Sequence, residues 1–292
     1  MISRMLRRYV NWSGRHAVTP NAWEVPADEA QVAALVRWAA LRGRRIKVIG
    51  AAHSWSDIGV PDDVCVDLGR LAGLVRVDAA AGLATVGAGT RLRDLLAALH
   101  VRGLTLSIVG SIAEQSVAGV ISTGTHGSSL VHGNLASLVE GMRLVTGTGD
   151  VLALERGDPR LAAARVGLGA LGVITEVTLR VEPLFCLVEE VESRPIAEVV
   201  VALPAIARSA EYVKVWHIPH TEVAQIFRYT RTSARARPRP VAAWVDEWVV
   251  NRGIFAGLLW CGGRRPGLVP PVNRAIARAY LRPSRRVDVA YR

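Results

Sequence analysis

Three glycine-rich segments of the chain could bind the phosphate groups of a cofactor. The first runs from Gly50 to Ser54, follows an apolar β-like stretch, and carries His53 and Ser54 among small residues. Small side chains allow backbone N–H groups to approach an anion closely, and a serine hydroxyl can donate as well. A histidine after a strand is more often structural than a cofactor attachment point, so this segment alone leaves both interpretations open.

The second segment comprises Gly110 and Ser111, followed by the run from Gly119 to Ser128. It combines many backbone donors with several hydroxyl side chains and the imidazole of His126. Such a segment forms a poor apolar core, because each of its polar groups needs a partner. A bound ligand would supply those partners, but composition alone favours a Ser/Gly surface loop equally.

The third segment, Gly167 to Gly172, reads G-x-G-x-x-G. A dinucleotide fingerprint needs a strand before it and a helix after it, so that the helix N-terminus faces the pyrophosphate. Here the helix-like stretch Arg160 to Val166 comes first, and the strand-like stretch Val173 to Val181 follows. The order excludes a Rossmann interpretation.

Other kinds of catalytic or metal chemistry have weak support. His126 with His132, or His217 with His220, could supply two metal ligands, but no carboxylate or third histidine stands nearby at helical spacing. No G-x-S-x-G nucleophile elbow occurs. Widely spaced cysteines argue against a zinc site or a disulfide framework and fit a reducing compartment. They are Cys65, Cys186 and Cys261.

The elements around these segments are predicted to alternate between helix and strand. A helix should open at Pro26–Glu29 and close at Gly43, and the strand Arg45–Ile49 should lead into the first segment. Thr90 is the expected N-cap of a helix that stops at Gly103. No regular element is expected from Gly110 to Gly133. The remaining elements are strands at Cys65–Leu68, Leu74–Val77, Ala84–Val86, Leu138–Leu154 (around a turn) and Val173–Val181, and a helix at Asp158–Val166.

Composition predicts one large core or two modest ones, since the 292 residues are 50% hydrophobic and 21% charged. The composition changes after Pro183. Further along this second half, Arg235–Pro240 resembles an exposed linker. Tryptophans cluster beyond Pro183 at Trp216, Trp244, Trp248 and Trp260. We therefore predict an N-terminal segment (1–18), a first domain (19–183) and a second domain (184–292).

The net charge of +11 lies mainly after Pro183, but the arginines are interleaved with prolines and apolar residues. This favours a solvated surface, and no nucleic-acid partner is expected. The basic first ten residues lack the apolar run of a secretory signal. Gly253–Gly263 is apolar but too short to cross a bilayer, so it could lie in a core or on a membrane surface. We expect a cytoplasmic protein, with peripheral membrane association as an option.

Four stretches, in this order, resemble the aldonolactone oxidases, which belong to the vanillyl-alcohol-oxidase-like flavoproteins. Ile46–Ser54 is similar to their first flavin-binding loop, and Ser107–Ser128 is similar to the second. Gly167–Leu179 resembles their last strand, and Glu211–Glu222 resembles the start of their cap domain. The match is closest to the L-gulonolactone and D-arabinonolactone oxidase group, followed by the alditol oxidases.

The resemblance implies an α+β fold, with a two-subdomain FAD-binding PCMH-type domain followed by an incomplete α+β cap domain for the substrate. It implies FAD as cofactor, bonded to a ring nitrogen of His53, although some relatives keep the fold without this link. The pyrophosphate would lie against Ile49, Gly50, Ala51, Ala52, His53 and Ser54. The flavin would be lined by Ser111 (also a possible substrate contact), Ser116, Gly119, Thr123, Gly124, Thr125 and His126, with Ile174 near the adenine.

The implied reaction moves a hydride from a sugar-lactone or polyol carbon to the flavin, and oxygen or another electron acceptor then reoxidises the flavin. The family's C-terminal segment, with its His-Trp motif, has no counterpart before Arg292. We therefore expect a truncated chain whose acid/base residues cannot be assigned. The alternatives are a flavin-binding protein without turnover, an alditol oxidase, and, from another class, a basic membrane-surface or nucleic-acid binder.

Overall fold

The computed structural model describes residues 7–236, 253–254, 256–280 and 283–290, and within them the chain forms two compact units. The first unit comprises Met1–Gly127 and His132–Pro183, and the second comprises Ser128–Val131 and Leu184–Arg292. The short segment Ser128–Val131 joins the second unit because the Val213 amide donates to the Ser128 carbonyl at 2.7 Å. Trp244, Trp248 and the end of the predicted linker, residues 237–240, lie outside the described residues.

The first layer of the first unit is a three-stranded parallel sheet beside one helix. Its strand order is β3 (Ala22–Glu24), β5 (Val64–Asp67), β4 (Ile46–Ile49), and α1 (Glu29–Leu41) packs on it. The Asp28 side chain accepts from the Gln31 amide at 2.8 Å and caps α1, which confirms the predicted helix start. A small hairpin, β1 (Tyr9–Val10) with β2 (Ala17–Val18), precedes this layer.

Buried apolar side chains of α1 and β5 form the core of this layer, including Val32, Val36, Val64 and Val66. Cys65 lies on the same strand and is fully buried. Burial raises the pKa of the Cys65 thiol to about 12, so this cysteine packs the core and is not a nucleophile at neutral pH.

The second layer is a five-stranded antiparallel sheet. Its order is β10 (Val151–Glu155), β9 (Val139–Val145), β11 (Val173–Arg180), β7 (Leu83–Gly87), β6 (Leu74–Asp78). These strands confirm those predicted from the sequence. Three helices accompany the sheet: α2 (Leu92–His100), α3 (Val117–Ser122) and α4 (Pro159–Ala164). A short ladder of β8 (Leu104–Thr105) with β12 (Glu182–Pro183) completes the unit.

Two predictions of local structure are wrong. Thr90 is not the N-cap of α2. The N-cap is Arg91, so the helix starts at Leu92, one residue later than predicted. The buried Thr90 hydroxyl donates instead to the Gly87 carbonyl at 2.6 Å. The stretch from Gly110 to Gly133 contains the helix α3, because Val117, Val120 and Ile121 repeat at helical spacing and are all buried. The high Gly and Ser content masked this apolar face.

The second unit is a four-stranded antiparallel sheet covered on one face by a helix. Its strand order is β14 (Tyr212–His217), β15 (Val223–Thr232), β13 (Cys186–Pro195), β16 (Ser284–Val289). Helix α5 (Ile196–Ala207) packs Val199 and Ile206 against Ala224 and Ile226. Two further helices, α6 (Ala256–Arg264) and α7 (Val269–Tyr280), follow in the chain. No helix of the described residues is long and apolar enough to span a bilayer.

Candidate cofactor site

The first and second glycine-rich segments meet at one cleft in the first unit. The cleft has a volume of about 400 Å³, and the third segment and the start of β11 also line it. Ten of the site residues predicted from the sequence lie together in its wall. They are Ile49, Gly50, Ala51, Ala52, His53, Ser54, Ser116, Gly119, Thr123 and Ile174.

The other four predicted residues, Ser111, Gly124, Thr125 and His126, do not line this cleft in the described part of the chain. They continue from its wall, because the Thr125 hydroxyl lies 3.4 Å from that of Thr123. His126 is exposed, and its Nδ1 donates to the Gly127 carbonyl at 2.8 Å. In neutral His126, the Nε2 atom is therefore an acceptor.

The first loop carries backbone donors that have no partner within the described chain. The amides of residues 51–54 donate to no backbone or side-chain acceptor there. Ala52 has φ +56°, in the left-handed region, which alanine rarely adopts. Consecutive amides around a left-handed residue form a concave anion site. The diphosphate of a dinucleotide cofactor therefore fits this loop.

The absence of a side chain at Gly50 allows the two loops to approach each other. A Cβ atom at Gly50 would lie 2.5 Å from the Oγ atom of Ser116, which is buried at the start of α3. Ser116 is already engaged, because its Oγ accepts from the Gly119 amide at 3.3 Å. The glycine at position 50 thus keeps the cleft narrow at the junction of its two loops.

The third segment is a loop between α4 and β11, which confirms that its G-x-G-x-x-G is not a Rossmann fingerprint. Leu168 donates from its amide to the Ser122 carbonyl at 3.2 Å, so the loop is attached to the end of α3. Gly172 has φ +140°, and a Cβ atom there would clash with the Val145 carbonyl oxygen. The glycine is required for close packing at the cleft floor.

The imidazole of His53 is half-buried at the cleft and stacks on an indole ring that sequence reasoning missed. Its centroid lies 6.0 Å from that of Trp12, with the planes inclined by 26°. Trp55 meets Trp12 edge-on, with centroids 5.7 Å apart. Residues 11–16 gave no periodic signal. Only their aromatic and amide content, within the predicted N-terminal segment (1–18), could have indicated a role.

The second unit presents a polar and aromatic patch on the sheet face opposite α5. The ammonium group of Lys214 lies 4.4 Å from the ring centroid of Trp216 and 4.6 Å from that of Phe227. Burial lowers the pKa of Lys214 from its ordinary value. Within the described residues, no group of three His, Cys, Asp or Glu side chains is arranged to hold a metal ion.

Two family models match the chain in succession. One, described as an FAD binding domain, matches residues 20–155, and the other, D-arabinono-1,4-lactone oxidase, matches residues 177–292. Among solved structures, cholesterol oxidase from B. sterolicum shares the fold, with a TM-score of 0.78 at 20% identity, over 93% of this chain and 56% of that one. The first unit therefore has the α+β architecture of the PCMH-type flavoproteins, and FAD is its cofactor.

Curated relatives give a narrower assignment. The chain is 37% identical to L-gulono-1,4-lactone dehydrogenase of Mycobacterium tuberculosis, over 90% of its own length and 61% of the relative. It is 36% identical to D-arabinono-1,4-lactone oxidase of Eremothecium gossypii, over 94% of its length and 53% of the relative. L-gulonolactone oxidase of Bos taurus is 32% identical, with 91% and 61% covered. The chain is thus similar to aldonolactone oxidases and dehydrogenases over most of its own length, and it spans just over half the length of these relatives.

Proposed function

We propose that the chain binds FAD in the cleft of the first unit and oxidises a CH–OH group of a sugar-1,4-lactone of the L-gulono or D-arabinono type. The convergence of the two predicted loops on one cleft carries the proposal, together with four amides of the first loop that have no partner among the described residues. The named activities of the relatives give the substrate class. Oxygen or another acceptor would take the electrons.

The protein residues would bind and orient the cofactor. The amides of residues 51–54 would donate hydrogen bonds to the diphosphate. Gly50 and Gly119, which lack side chains, would let the cofactor approach the backbone closely. Ser116, Thr123 and Ile174 would line the rest of the cofactor, with Ser111 and the segment Gly124–His126 beyond the cleft wall. When bound, FAD supplies the hydride acceptor. The second unit would be the substrate (cap) domain.

We further propose that His53 is the point of covalent flavin attachment. The test is a denaturing gel of the purified chain viewed under ultraviolet light, beside His53→Ala and the control His126→Ala. We expect a fluorescent band for the wild-type chain and for His126→Ala, and none for His53→Ala. A dark wild-type band from protein that is yellow before denaturation would contradict attachment but leave FAD binding intact.

The oxidation itself is tested without oxygen. The flavin-loaded chain is mixed with L-gulono-1,4-lactone, D-arabinono-1,4-lactone or xylitol while the flavin absorbance is followed. Bleaching by a lactone supports the proposed function, and bleaching by xylitol alone supports an alditol oxidase. A bound flavin that no substrate bleaches supports flavin binding without turnover. Admitting either oxygen or a dye acceptor to the bleached protein then separates oxidase from dehydrogenase.

A second proposal concerns location: a cytoplasmic protein held at an anionic membrane surface by α6 and its surroundings. Leu259 and Trp260 are 62% and 60% exposed, and the Arg264 guanidinium lies 3.7 Å from the Trp260 ring centroid. Residues 253–280 contain no acidic side chain, and Arg265, Arg274 and Arg278 are exposed. Exposed apolar residues beside arginines are typical of helices that bind anionic lipid.

Co-sedimentation with vesicles tests this location. We expect binding to vesicles containing phosphatidylglycerol, weaker binding to pure phosphatidylcholine, and a loss at high salt. Trp260→Ala should weaken the binding, while Trp216→Ala, another exposed tryptophan of the same unit, serves as the control. Equal binding to both vesicle types, or none to either, would contradict the proposal.

A further inference from the structure

We propose that the turn between β1 and β2, residues 11–16, is a positioning device for His53. We call this turn the N-terminal clasp. It rests on the proposed function, in which His53 faces the flavin. The clasp holds the backbone on both sides of His53 and places an aromatic ring against its imidazole. Its members are positioning residues, because they would act on the cofactor only through His53.

Three hydrogen bonds join the clasp to the carbonyl groups around His53. The Trp12 amide donates to the Ala52 carbonyl at 2.7 Å, and Asn11 Nδ2 donates to the Ser54 carbonyl at 2.9 Å. His16 Nε2 lies 3.1 Å from the Trp55 carbonyl, and because a carbonyl oxygen only accepts, Nε2 carries the proton. The residue just before His53 and the two residues after it are therefore fixed.

Asn11 is the centre of the clasp, and its side chain is fully engaged. It is 2% exposed, its Oδ1 accepts from the His16 amide at 3.0 Å, and its Nδ2 donates to Ser13 Oγ as well as to Ser54. A buried side-chain amide with this many partners specifies one arrangement, since any other leaves polar groups without partners. Asn11 thus sets the distance between the clasp and the His53 loop.

The clasp also explains how Ala52 keeps its unusual backbone conformation. A non-glycine residue with positive φ is unfavourable and persists only where its surroundings hold it. Ala52, at φ +56°, directly precedes His53, and its carbonyl receives the shortest of the three clasp hydrogen bonds. The same conformation turns the loop amides into an anion site, so the clasp would order both the imidazole and the diphosphate position.

The Trp12 ring contributes no hydrogen bond to the clasp, because its contact with Ala52 is made by the backbone amide. It is 63% exposed, yet it stacks on His53 within 26° of parallel. The indole of Trp55 is equally exposed, at 62%, and touches Trp12 only by its edge. Removing the Trp12 side chain leaves the hydrogen bond from the Trp12 backbone amide to the Ala52 carbonyl in place. The effect of the ring on His53 can therefore be separated from an effect on folding.

The first test uses the flavin-free chain and its NMR spectrum. The imidazole proton signals of His53 are identified by their absence in His53→Gln. Stacking on the Trp12 ring should move these signals to higher field than those of a histidine in a small peptide. We expect the displacement to vanish in Trp12→Ala, to persist in Trp12→Phe, and to remain in the control Trp55→Ala. Unmoved His53 signals in Trp12→Ala would overturn the stacking, whether or not the chain binds FAD.

The second test measures the consequence for the cofactor. The same variants are titrated with FAD, and the fraction of covalently held flavin is followed with time. We expect Trp12→Ala to lose about threefold to tenfold in affinity or attachment, with rescue by Trp12→Phe and less than about a twofold change in Trp55→Ala. Asn11→Asp, which keeps the acceptor but lacks the donor to Ser54, should lose more. Equal values for Trp12→Ala and wild type would overturn the clasp.

The two tests separate this inference from the proposed function. If the wild-type chain does not bind FAD, the proposed function fails, while the NMR test still reports whether Trp12 holds His53. If FAD binds and the variants at residues 11 and 12 behave like wild type at an unchanged Tm, the clasp fails and the proposed function stands.

Discussion

The two glycine-rich loops at the cleft are alike in composition and differ in what their backbones do. In the first loop, the amides of residues 51–54 have no partner in the described chain, and the carbonyls of Ala52 and Ser54 accept hydrogen bonds from the clasp. In the second loop, the amides of Val117 and Ala118 donate to the carbonyls of Thr90 and Ala88, and those of Thr123 to Thr125 donate within the loop. The amides of the first loop are therefore available to a ligand, whereas those of residues 117–125 donate within the described chain.

The difference shows that glycine and serine content alone does not identify a phosphate site. In the part of the second loop from residue 117 to residue 125, the amides donate to acceptors in α3 and in neighbouring segments. In the first loop, the clasp instead bonds to the carbonyls of Ala52 and Ser54, and the amides of residues 51–54 have no acceptor in the part of the chain that the structure describes. Contacts with residues far away in the sequence therefore influence which backbone groups of a loop are available to a ligand.

The largest effect is expected from a substitution at Gly172, which lines the cleft together with residues of both loops. Gly172→Ala should destabilise the protein by more than about 3 kcal/mol, since the new methyl group meets the Val145 carbonyl at an unfavourable φ. Gly169, at φ +80°, has no neighbour within 4 Å of its Cβ position, so Gly169→Ala should cost only about 1 kcal/mol. Urea unfolding of both variants checks this, and equal losses would be inconsistent with the packing role.

The next largest effect should come from pushing the two loops apart. Gly50→Ala places a methyl group against Ser116 Oγ, at 2.5 Å in the present structure, and should weaken FAD binding by about tenfold. Ser116→Ala removes that oxygen, together with the cap of α3, at a cost of about 1 kcal/mol in stability. The double variant should recover part of the affinity. A double variant that binds no better than Gly50→Ala would show that the collision is elsewhere.

A smaller effect is expected where the two layers beside the cleft are joined. Glu29 of α1 pairs with Arg143 of β9 at 2.5 Å and accepts from the Thr175 hydroxyl at 2.7 Å. The hydrogen bond from Arg143 holds the pKa of Glu29 below its ordinary value of 4.5, against the opposing effect of burial. The pair therefore stabilises the folded state fully above that value, and this contribution is lost as the pH falls through the lower pKa of the folded protein.

Glu29→Gln should accordingly lower the free energy of unfolding by about 1 kcal/mol at neutral pH, because the pair is partly solvated. The gap between the two proteins should close as the pH falls through the lowered pKa of Glu29, where the wild-type side chain becomes protonated and loses its charge. Thermal unfolding of both proteins across this pH range is the measurement. A gap that stays constant while Glu29 becomes protonated would show that the charge of Glu29 does not carry the effect.

Local sequence patterns predicted most of the first unit. The apolar spacing in α1, the Asp28 cap and the strands on either side of Gly147–Gly149 all follow from neighbours within a few residues. The prediction of Thr90 as a cap failed because a contact 3 residues away, to the Gly87 carbonyl, used its hydroxyl instead. Helix α3 was missed because three apolar residues in a Gly/Ser-rich stretch were too few to show a period.

The site was predictable only as far as the family motifs extend. These motifs place His53 and Ser116 beside one cleft, but they do not reveal the role of Asn11 and Trp12. The hydrogen bond from Asn11 to Ser54 spans 43 residues, and no periodicity or spacing encodes a pair of this kind. Contacts of this kind, between single residues far apart in the chain, cannot be predicted from the sequence of one protein.

Amide hydrogen exchange with and without FAD tests the central difference between the loops most directly. Without FAD, the amides of residues 51–54 should exchange rapidly, and those of residues 117–125 slowly. Adding FAD should slow exchange in residues 51–54 by about tenfold or more, as bound ligand protects the amides that it engages. Residues 117–125 should change much less. Protection confined to residues 117–125, with residues 51–54 unchanged, would contradict the assignment of the diphosphate to the first loop.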